Sequence, residues 1–434
     1  MLGNTIIALT AAQLLSHLQG QLNRYYSAGI PAFAQERLEA ELHCMKAAHA
    51  EEQFLLCYTL GQAAAHSGHI LHVDGSSVGS LLVFLLTESK INPLPAHYYC
   101  RYCGYSEAKP SVTFGLDLPA KVCPCCGTQM ERDGFSIPVE TVWRSNGRKK
   151  IPMEYRCSEG FFSYGYWAIK KFYTRRNRVV VPHGAIRSDD SRLLEPIGVF
   201  ILPEDADIET YPQFHAYLSD GLLCFAGDHY AMKQYQIEKI VLASNNIATA
   251  LQQTQAASGR FWSNVSLEDV RGATSRDITN TALVSSEECI ALQLKNPSYY
   301  DMSCALTLPH NTYADQGECT HSINVTRWDE FKRCPLFCRE DIFDKMLNEG
   351  YERSHATETT EAIAYGKAAN TPAVLEHLGV PDDLAAVAEH CFYLFPRGSG
   401  AQRLVLLMLL ARYMKEDPHR YFKAVRTILE NRWS

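Results

Sequence analysis

The sequence predicts an α+β fold, and three observations carry that expectation. Apolar residues in the first part of the chain recur at helical spacing. The middle alternates short β-rich runs with loops, and the last third returns to strongly apolar helical runs. The chain has 434 residues, 46% of them hydrophobic and 21% charged, so it can bury a large core and is neither disordered nor collagen-like. At about 100–200 residues per domain it divides into roughly two to four units.

Taken in order, Phe33 to Ser67 predicts two helices, with Leu38, Leu42, Met45, Leu55, Leu56 and Leu60 near helical spacing. Asp74 to Ser80 (DGSSVGS) is a small-residue loop, Leu81–Leu86 begins a buried element, and Asn92-Pro93-Leu94-Pro95 breaks the chain. Residues 98–140 are turn-rich and hold five cysteines. Arg178–Val181, Ile197–Leu202 and Lys239–Leu242 read as strands. From about residue 266 the pattern is helical, with pieces at Ile342–Leu347 and Ala362–Lys367. Gly379–Asp383 is a helix start with proline and acids in its first turn, and Gln402–Met414 and Pro418–Asn431 are apolar helices.

The five cysteines are informative. Cys100 and Cys103 form one C-x2-C knuckle, Cys123 and Cys126 a second, and 19 residues separate them. Four thiolates at this spacing suit one tetrahedral Zn²⁺, and a closed set of four leaves no open position, which marks a structural site. Gly104 and Gly127 follow the second cysteine of each knuckle, where a left-handed turn is easy. Cys125 is the non-ligand of its knuckle. Cys334 and Cys338 lack a second pair and read as core packing, as do Cys44, Cys57, Cys224, Cys289, Cys304 and Cys391. The N-terminus has no basic segment of a signal peptide, and the apolar run Leu404–Ala411 is far below the roughly 20 residues of a membrane span. A cytoplasmic protein with no membrane partner is expected, where clustered cysteines point to metal rather than disulfides.

The net charge of −7 excludes a uniformly basic nucleic-acid coat. It conceals an asymmetry. Residues 140–180 carry ten Lys/Arg and three acids, a net of +7, against −14 elsewhere. Arg148, Lys149, Lys150, Lys170, Lys171, Arg175, Arg176 and Arg178 are interleaved with Phe161, Phe162, Tyr164, Tyr166, Trp167, Phe172 and Tyr173. Two readings stand: cations and rings that meet phosphates and bases, or a solvated face over a half-buried strand pair.

The stretch DGSSVGSLLVFLLTESKINPLPAHYYCRYCGYSE, followed by FGLDLPAKVCPCCGTQMERDGFSIPVET, resembles the polymerase core of PolC-type DNA polymerase III alpha subunits. The corresponding family motifs read S-R-G-S-V-G-S, N-P-L-P-x-H-Y-x-C-x-x-C, F-D-L-P-D-K-x-C-P-x-C-G-T and D-G-H-D-I-P-F-E-T. Glu195–Pro203, Leu308–Thr312, Cys338–Ile342 and the run YLFPRGSGAQRLVLLMLLARYMKEDPHRYF resemble further family motifs, so the likeness runs from about residue 35 to the C-terminus. It implies a polymerase-beta-like palm sheet with a four-cysteine zinc knuckle and a helical, fingers-like C-terminal half. On this reading residues 1–95 are the N-terminal helical part of palm and thumb and 96–140 the knuckle. Residues 141–265 are a degenerate palm and 266–434 the fingers-like region. On the same reading, these 434 residues are expected to hold the palm and fingers only, without the family's exonuclease, PHP domain or trailing duplex- and clamp-binding modules.

The departures are as telling as the matches. Two-metal phosphoryl transfer needs acidic side chains to hold Mg²⁺. The family's V-P-D-I-D-L-N-F matches Ile151–Ser158, which puts Met153 and Tyr155 at the aspartates, with Glu154 between them on the opposite face and Arg156 alongside. The third aspartate, in L-K-L-D-I-L-G-H, is Val241. The arginine of S-R-G-S-V-G-S is Gly75. In the fingers motif K-A-H-A-A-A-Y, the histidine is Ser399, the tyrosine Arg403, and the basic charge survives at Arg397. Asp189-Asp190 and Asp205-x-Asp207 read as loop acids.

The sequence therefore predicts no catalytic residues and no catalytic Mg²⁺. The expected function is that of a catalytically inactive PolC-like paralogue, a DNA-binding or replication and repair accessory protein, with Arg397 and the basic segment offered to nucleic acid. The alternatives are an active polymerase or nucleotidyltransferase with relocated metal ligands, and a protein–protein interaction module without nucleic acid.

Overall fold

The computed structural model describes residues 9–144, 149–186, 194–226, 229–315, 318–320, 336–371 and 373–433. Three helices open the described chain: α1 (Ala11–Tyr25), α2 (Ala32–Ala47) and α3 (Glu51–Ser67). Helix α1 starts at a capping box between Thr10 and Gln13 and buries Leu14, Leu18 and Leu22, one residue per turn. Helix α3 begins with Glu51 and Glu52, whose negative charge suits the positive end of the helix dipole, and ends at Gly68 in the left-handed region, φ 69°. The short α4 (Leu81–Leu86) is buried throughout. Its start is fixed by Glu41 of α2, fully buried, which accepts from Ser80 Oγ at 2.5 Å, the Leu81 N–H at 2.8 Å and Trp143 Nε1 at 3.1 Å. Arg37 Nε, 2.6 Å away, supplies the countercharge that a buried carboxylate requires.

Ten strands follow one another through the first two-thirds of the chain: β1 (Leu71–Asp74), β2 (His97–Tyr99), β3 (Ser106–Ala108), β4 (Glu131–Asp133), β5 (Glu154–Cys157), β6 (Val180–Ile186), β7 (Leu194–Ile201), β8 (His215–Tyr217), β9 (Leu223–Phe225) and β10 (Glu238–Ser244). Seven form one mixed sheet in the order β1-β5-β10-β7-β6-β9-β8. Strand β5 is thus flanked by two segments distant in sequence, antiparallel to β1 and parallel to β10. Strands β3-β2-β4 make a small separate sheet that carries the cysteine knuckles.

Helix α3 and helix α5 (Phe161–Thr174) pack together and cover one face of the large sheet. Tyr155, Cys157, Val199, Ile201 and Leu242 point into that core. Gly165 of α5 approaches β10 so closely that a Cβ there would lie 2.6 Å from Leu242 Cδ2. On the other side of β6 and β7, Val181, Phe200, Leu202, Phe214, Phe225, Met232 and Ile237 form a second, smaller core.

The C-terminal half is built from α6 (Asn246–Ser258), α7 (Tyr299–Thr307), α8 (Arg339–Asn348), α9 (Arg353–Ala364), α10 (Arg397–Glu416) and α11 (Pro418–Trp433), with the small sheet β12 (Glu318–Thr320), β11 (Thr312–Asp315), β13 (Cys391–Tyr393). Helix α10 is buried along most of its length and packs on α6, α7 and α11. Its N-terminal turns press on the Gly75–Gly79 turn, where Gly398 leaves room: a Cβ would meet the Gly79 nitrogen at 3.2 Å. No described helix is long and apolar enough to cross a membrane.

The α+β expectation holds. The basic–aromatic segment differs from the strand-pair alternative: its centre is helix α5, with Phe161, Gly165, Ile169, Phe172 and Tyr173 buried at helical spacing.

Candidate metal centre and the open face of the sheet

The Sγ atoms of Cys100, Cys103, Cys123 and Cys126 all lie within 4.8 Å of one another. Cys100–Cys126 and Cys103–Cys123 are each 3.5 Å apart. Metal–sulfur bonds of about 2.3 Å in a tetrahedron place sulfurs roughly 3.8 Å apart, so the four thiols fit one ion. Each knuckle is closed by a backbone hydrogen bond, Gly104 N–H to Cys100 O and Gly127 N–H to Cys123 O, both 2.9 Å. Both glycines have positive φ, 78° and 73°. Gly104 has a second reason: a Cβ would sit 2.4 Å from the Ala28 carbonyl oxygen. Cys100 and Cys123 are buried with Tyr98, Leu118 and Met130, which makes the site part of a small core. Cys125 is exposed and outside the cluster, and Cys338 is buried; Cys334 lies outside the described residues.

Strand β5 places its side chains alternately. Met153 and Tyr155 are buried, 9% and 1% exposed, and the Tyr155 hydroxyl reaches Met153 Sδ at 3.6 Å. Burial and the neighbouring Cys57 thiol push the Tyr155 hydroxyl well above its usual pKa. Glu154 and Arg156 face the other side. There Asp74 is the register partner of Glu154 on β1, and Val241 its partner on β10. Met153 and Tyr155, at two of the family's aspartate positions by motif, therefore do not share a face with Val241, at the third. The open-face positions of β5 are Glu154 and Arg156, because a shift of one residue turns a strand over.

On that face Arg156 stands between two carboxylates. Its Nε donates to Asp74 Oδ2 at 3.3 Å and its Nη2 to Glu154 Oε2 at 2.7 Å. Asp74 is held further by the Gly75 N–H at 2.7 Å and the Ser399 hydroxyl at 3.0 Å. Burial raises the Asp74 carboxyl, but His72, Gly75, Arg156 and Ser399 together hold it below the usual carboxylate range. His72, the register partner of Arg156, is buried, and burial takes its pKa down to about 4. Two departures from the family motifs, Gly75 and Ser399, thus meet each other at Asp74: the Gly75 N–H also donates to Ser399 Oγ at 3.0 Å.

Arg397 is turned inward. It is 3% exposed, and its guanidinium is taken by Ser136 O at 2.6 Å, Asp344 at 2.7 Å and Asp341 at 3.1 Å, so it offers no free charge to a phosphate. Arg403 binds the buried Glu288. Among the basic segment, Arg176 pairs with Glu52 at 3.2 Å and stacks on Phe172, and Arg178 binds Leu202 O and Glu238. Lys170 lies over the Trp167 ring. Lys149, Lys150, Lys171 and Arg175 are exposed. Arg148 and Asp189-Asp190 lie outside the described residues. Asp207 caps a short turn through Thr210. A cavity of about 540 Å³ lies elsewhere, beside α1 and the segment 263–268; it is lined by four acids and four bases, which suits no polyanion.

No family model matches the chain. Curated relatives do. The chain is 20% identical to the "DNA polymerase III PolC-type" of Caldanaerobacter subterraneus subsp. tengcongensis over 93% of its own length and 33% of the relative's. The proteins of the same name from Bacillus subtilis and Thermotoga maritima are 22% and 21% identical, each over 93% of the chain and 32% and 34% of the relative. The chain therefore spans about a third of the length of the curated relatives it matches. With identity of about 20% over 93% of its length, the chain is a divergent relative of PolC-type DNA polymerase III.

Proposed function

We propose that this chain keeps a PolC-like scaffold without nucleotidyl transfer and serves as a DNA-binding or replication and repair accessory protein of the cytoplasm. One observation carries the loss of chemistry. Where two carboxylates on neighbouring strands face each other, Asp74 and Glu154, the charge between them is the guanidinium of Arg156 rather than a position for Mg²⁺. Two-metal chemistry needs acids to converge on cations. Val241 adds nothing to that set, and among the described residues the one group of three or more metal-ligating side chains is the four cysteines. On this reading the large sheet is a degenerate palm, the C-terminal helices are fingers-like, and the cysteines hold a structural Zn²⁺ that fixes the knuckle at the side of the sheet.

The relatives are named as DNA polymerases, and Lys149, Lys150, Lys171 and Arg175 are exposed with no ion-pair partner among the described residues, which supports a nucleic-acid partner. The test is fluorescence anisotropy at low salt with primer–template DNA, single-stranded DNA and RNA, with and without Mg²⁺. Salt-dependent, Mg²⁺-independent binding is expected. No affinity for any of the three removes the nucleic-acid half of the proposal and leaves the protein–protein module.

A further inference from the structure

Helix α5 has an outer face that its packing does not use. Phe161, Gly165, Ile169, Phe172 and Tyr173 anchor it on the sheet, while Tyr164 (38% exposed), Trp167 (57% exposed), Lys171 and Arg175 recur every three to four residues on the solvent side. The His69 ring lies 5.3 Å from Tyr164, and Lys170 Nζ stands 5.0 Å from the Trp167 centroid. Rings therefore line one end and cations the other. The cationic end is extended by Lys149 and Lys150. They run past the start of α3, where Gln53 holds the Ile151 carbonyl and Glu52 is taken by Arg176. Lys149, Lys150, Lys171 and Arg175 have no ion-pair partner among the described residues, and α5 contains no acid.

We propose that this face binds single-stranded nucleic acid, bases on Tyr164 and Trp167 and phosphates on Lys171, Arg175, Lys149 and Lys150. The inference rests on the nucleic-acid reading above and fixes where and in what form the strand binds. Large exposed rings suit bases whose faces are open; a duplex hides those faces, and an acidic peptide uses the cations but not the rings. The location is also specific. Helix α5 packs on the sheet face that carries Tyr155 and Leu242, so its outer side points away from Asp74, Glu154 and Arg156. A strand held there does not cross the face that carries Asp74, Glu154 and Arg156.

The experiment is anisotropy of the full, zinc-loaded chain with a labelled oligothymidylate, a duplex of equal length and labelled polyglutamate. The variants are Trp167→Ala, the pair Lys171→Gln with Arg175→Gln, and Lys367→Gln as a single-charge control on the separate helix Lys367–Asn370. Melting temperature and zinc content confirm that each is folded. Trp167→Ala is expected to weaken oligothymidylate binding about tenfold. The double variant is expected to weaken it and lower the log–log salt slope by about 1.4, the value for two lost single-strand phosphate contacts. Lys367→Gln changes nothing, and the duplex binds more weakly than the single strand. If the single strand binds wild type and Trp167→Ala equally, this site is wrong while the nucleic-acid reading stands. If polyglutamate binds as tightly and shows the same charge dependence without the Trp167 effect, the face is an acidic-protein site. If wild type binds no nucleic acid, both readings fall.

Discussion

Replacing Arg156 by aspartate exchanges the internal cation for a third carboxylate. In the native protein the guanidinium bridges Asp74 and Glu154 at 3.3 and 2.7 Å, with the three side chains 29%, 27% and 44% exposed. Pairs this accessible are worth about 0.5–1 kcal/mol each, so their loss costs about 1–2 kcal/mol. Arg156→Asp adds like-charge repulsion between paired strands of about 0.2–1 kcal/mol. The variant is therefore destabilised by about 1–3 kcal/mol in the absence of divalent ions. A cation that binds the new cluster at about ten times its dissociation constant returns about 1.4 kcal/mol. The assay is thermal unfolding of zinc-loaded protein with and without Mg²⁺ or Mn²⁺, in buffer free of chelator so that the knuckle keeps its metal. The variant is expected to gain in melting temperature on adding the ion and the wild type to stay unchanged. An equal gain in wild type refutes the reasoning, because it means a cation binds this face with Arg156 in place.

Other consequences follow from the same geometry. Cys123→Ser removes one of four clustered thiols, and the protein should lose its zinc and melt substantially lower, read by metal analysis and calorimetry; unchanged zinc content counts against the ligand set. Glu288 is 1% exposed; burial raises its carboxyl, but His310 and Arg403 bring it down from 4.5 to about 2. A depressed carboxylate stabilises the fold fully above its unfolded value and loses that contribution as pH falls through the folded one. About 3 kcal/mol should therefore disappear between pH 4.5 and about 2, and acid titration of Glu288→Gln should lack this component. Tyr155→Asp places a carboxylate in the helix-covered core beside Met153, so it should unfold the protein by more than about 3 kcal/mol in denaturant titration rather than restore a metal site.

Much of the architecture was legible in the sequence, and the exceptions share a cause. The helices α2, α3, α10 and α11 were visible because their apolar residues repeat over several turns. The knuckles were visible because thiolate geometry dictates spacing. Helix α5 was harder: its aromatic and basic residues suit a strand pair as well, and only the positions of Phe161, Gly165, Ile169 and Phe172 decide for a helix. The sheet order was not readable, because β5 lies between β1 and β10 through non-local pairing. That pairing also decides which side chains share a face. Motif matching put Met153 and Tyr155 at the acid positions; the pleat turns both inward and presents Glu154 and Arg156 instead. Arg397 was misplaced for a related reason: its charge was visible, but Asp341, Asp344 and the Ser136 carbonyl that consume it come together only in the folded chain.

Primer extension decides whether the proposed loss of nucleotidyl transfer is real. Folded, zinc-loaded protein is incubated with primer–template DNA, the four deoxynucleoside triphosphates and Mg²⁺ or Mn²⁺. The structure around Asp74, Glu154, Arg156 and Val241 predicts no added nucleotide with either ion. Template-directed extension that survives repurification and disappears in Asp74→Asn or Glu154→Gln would contradict it.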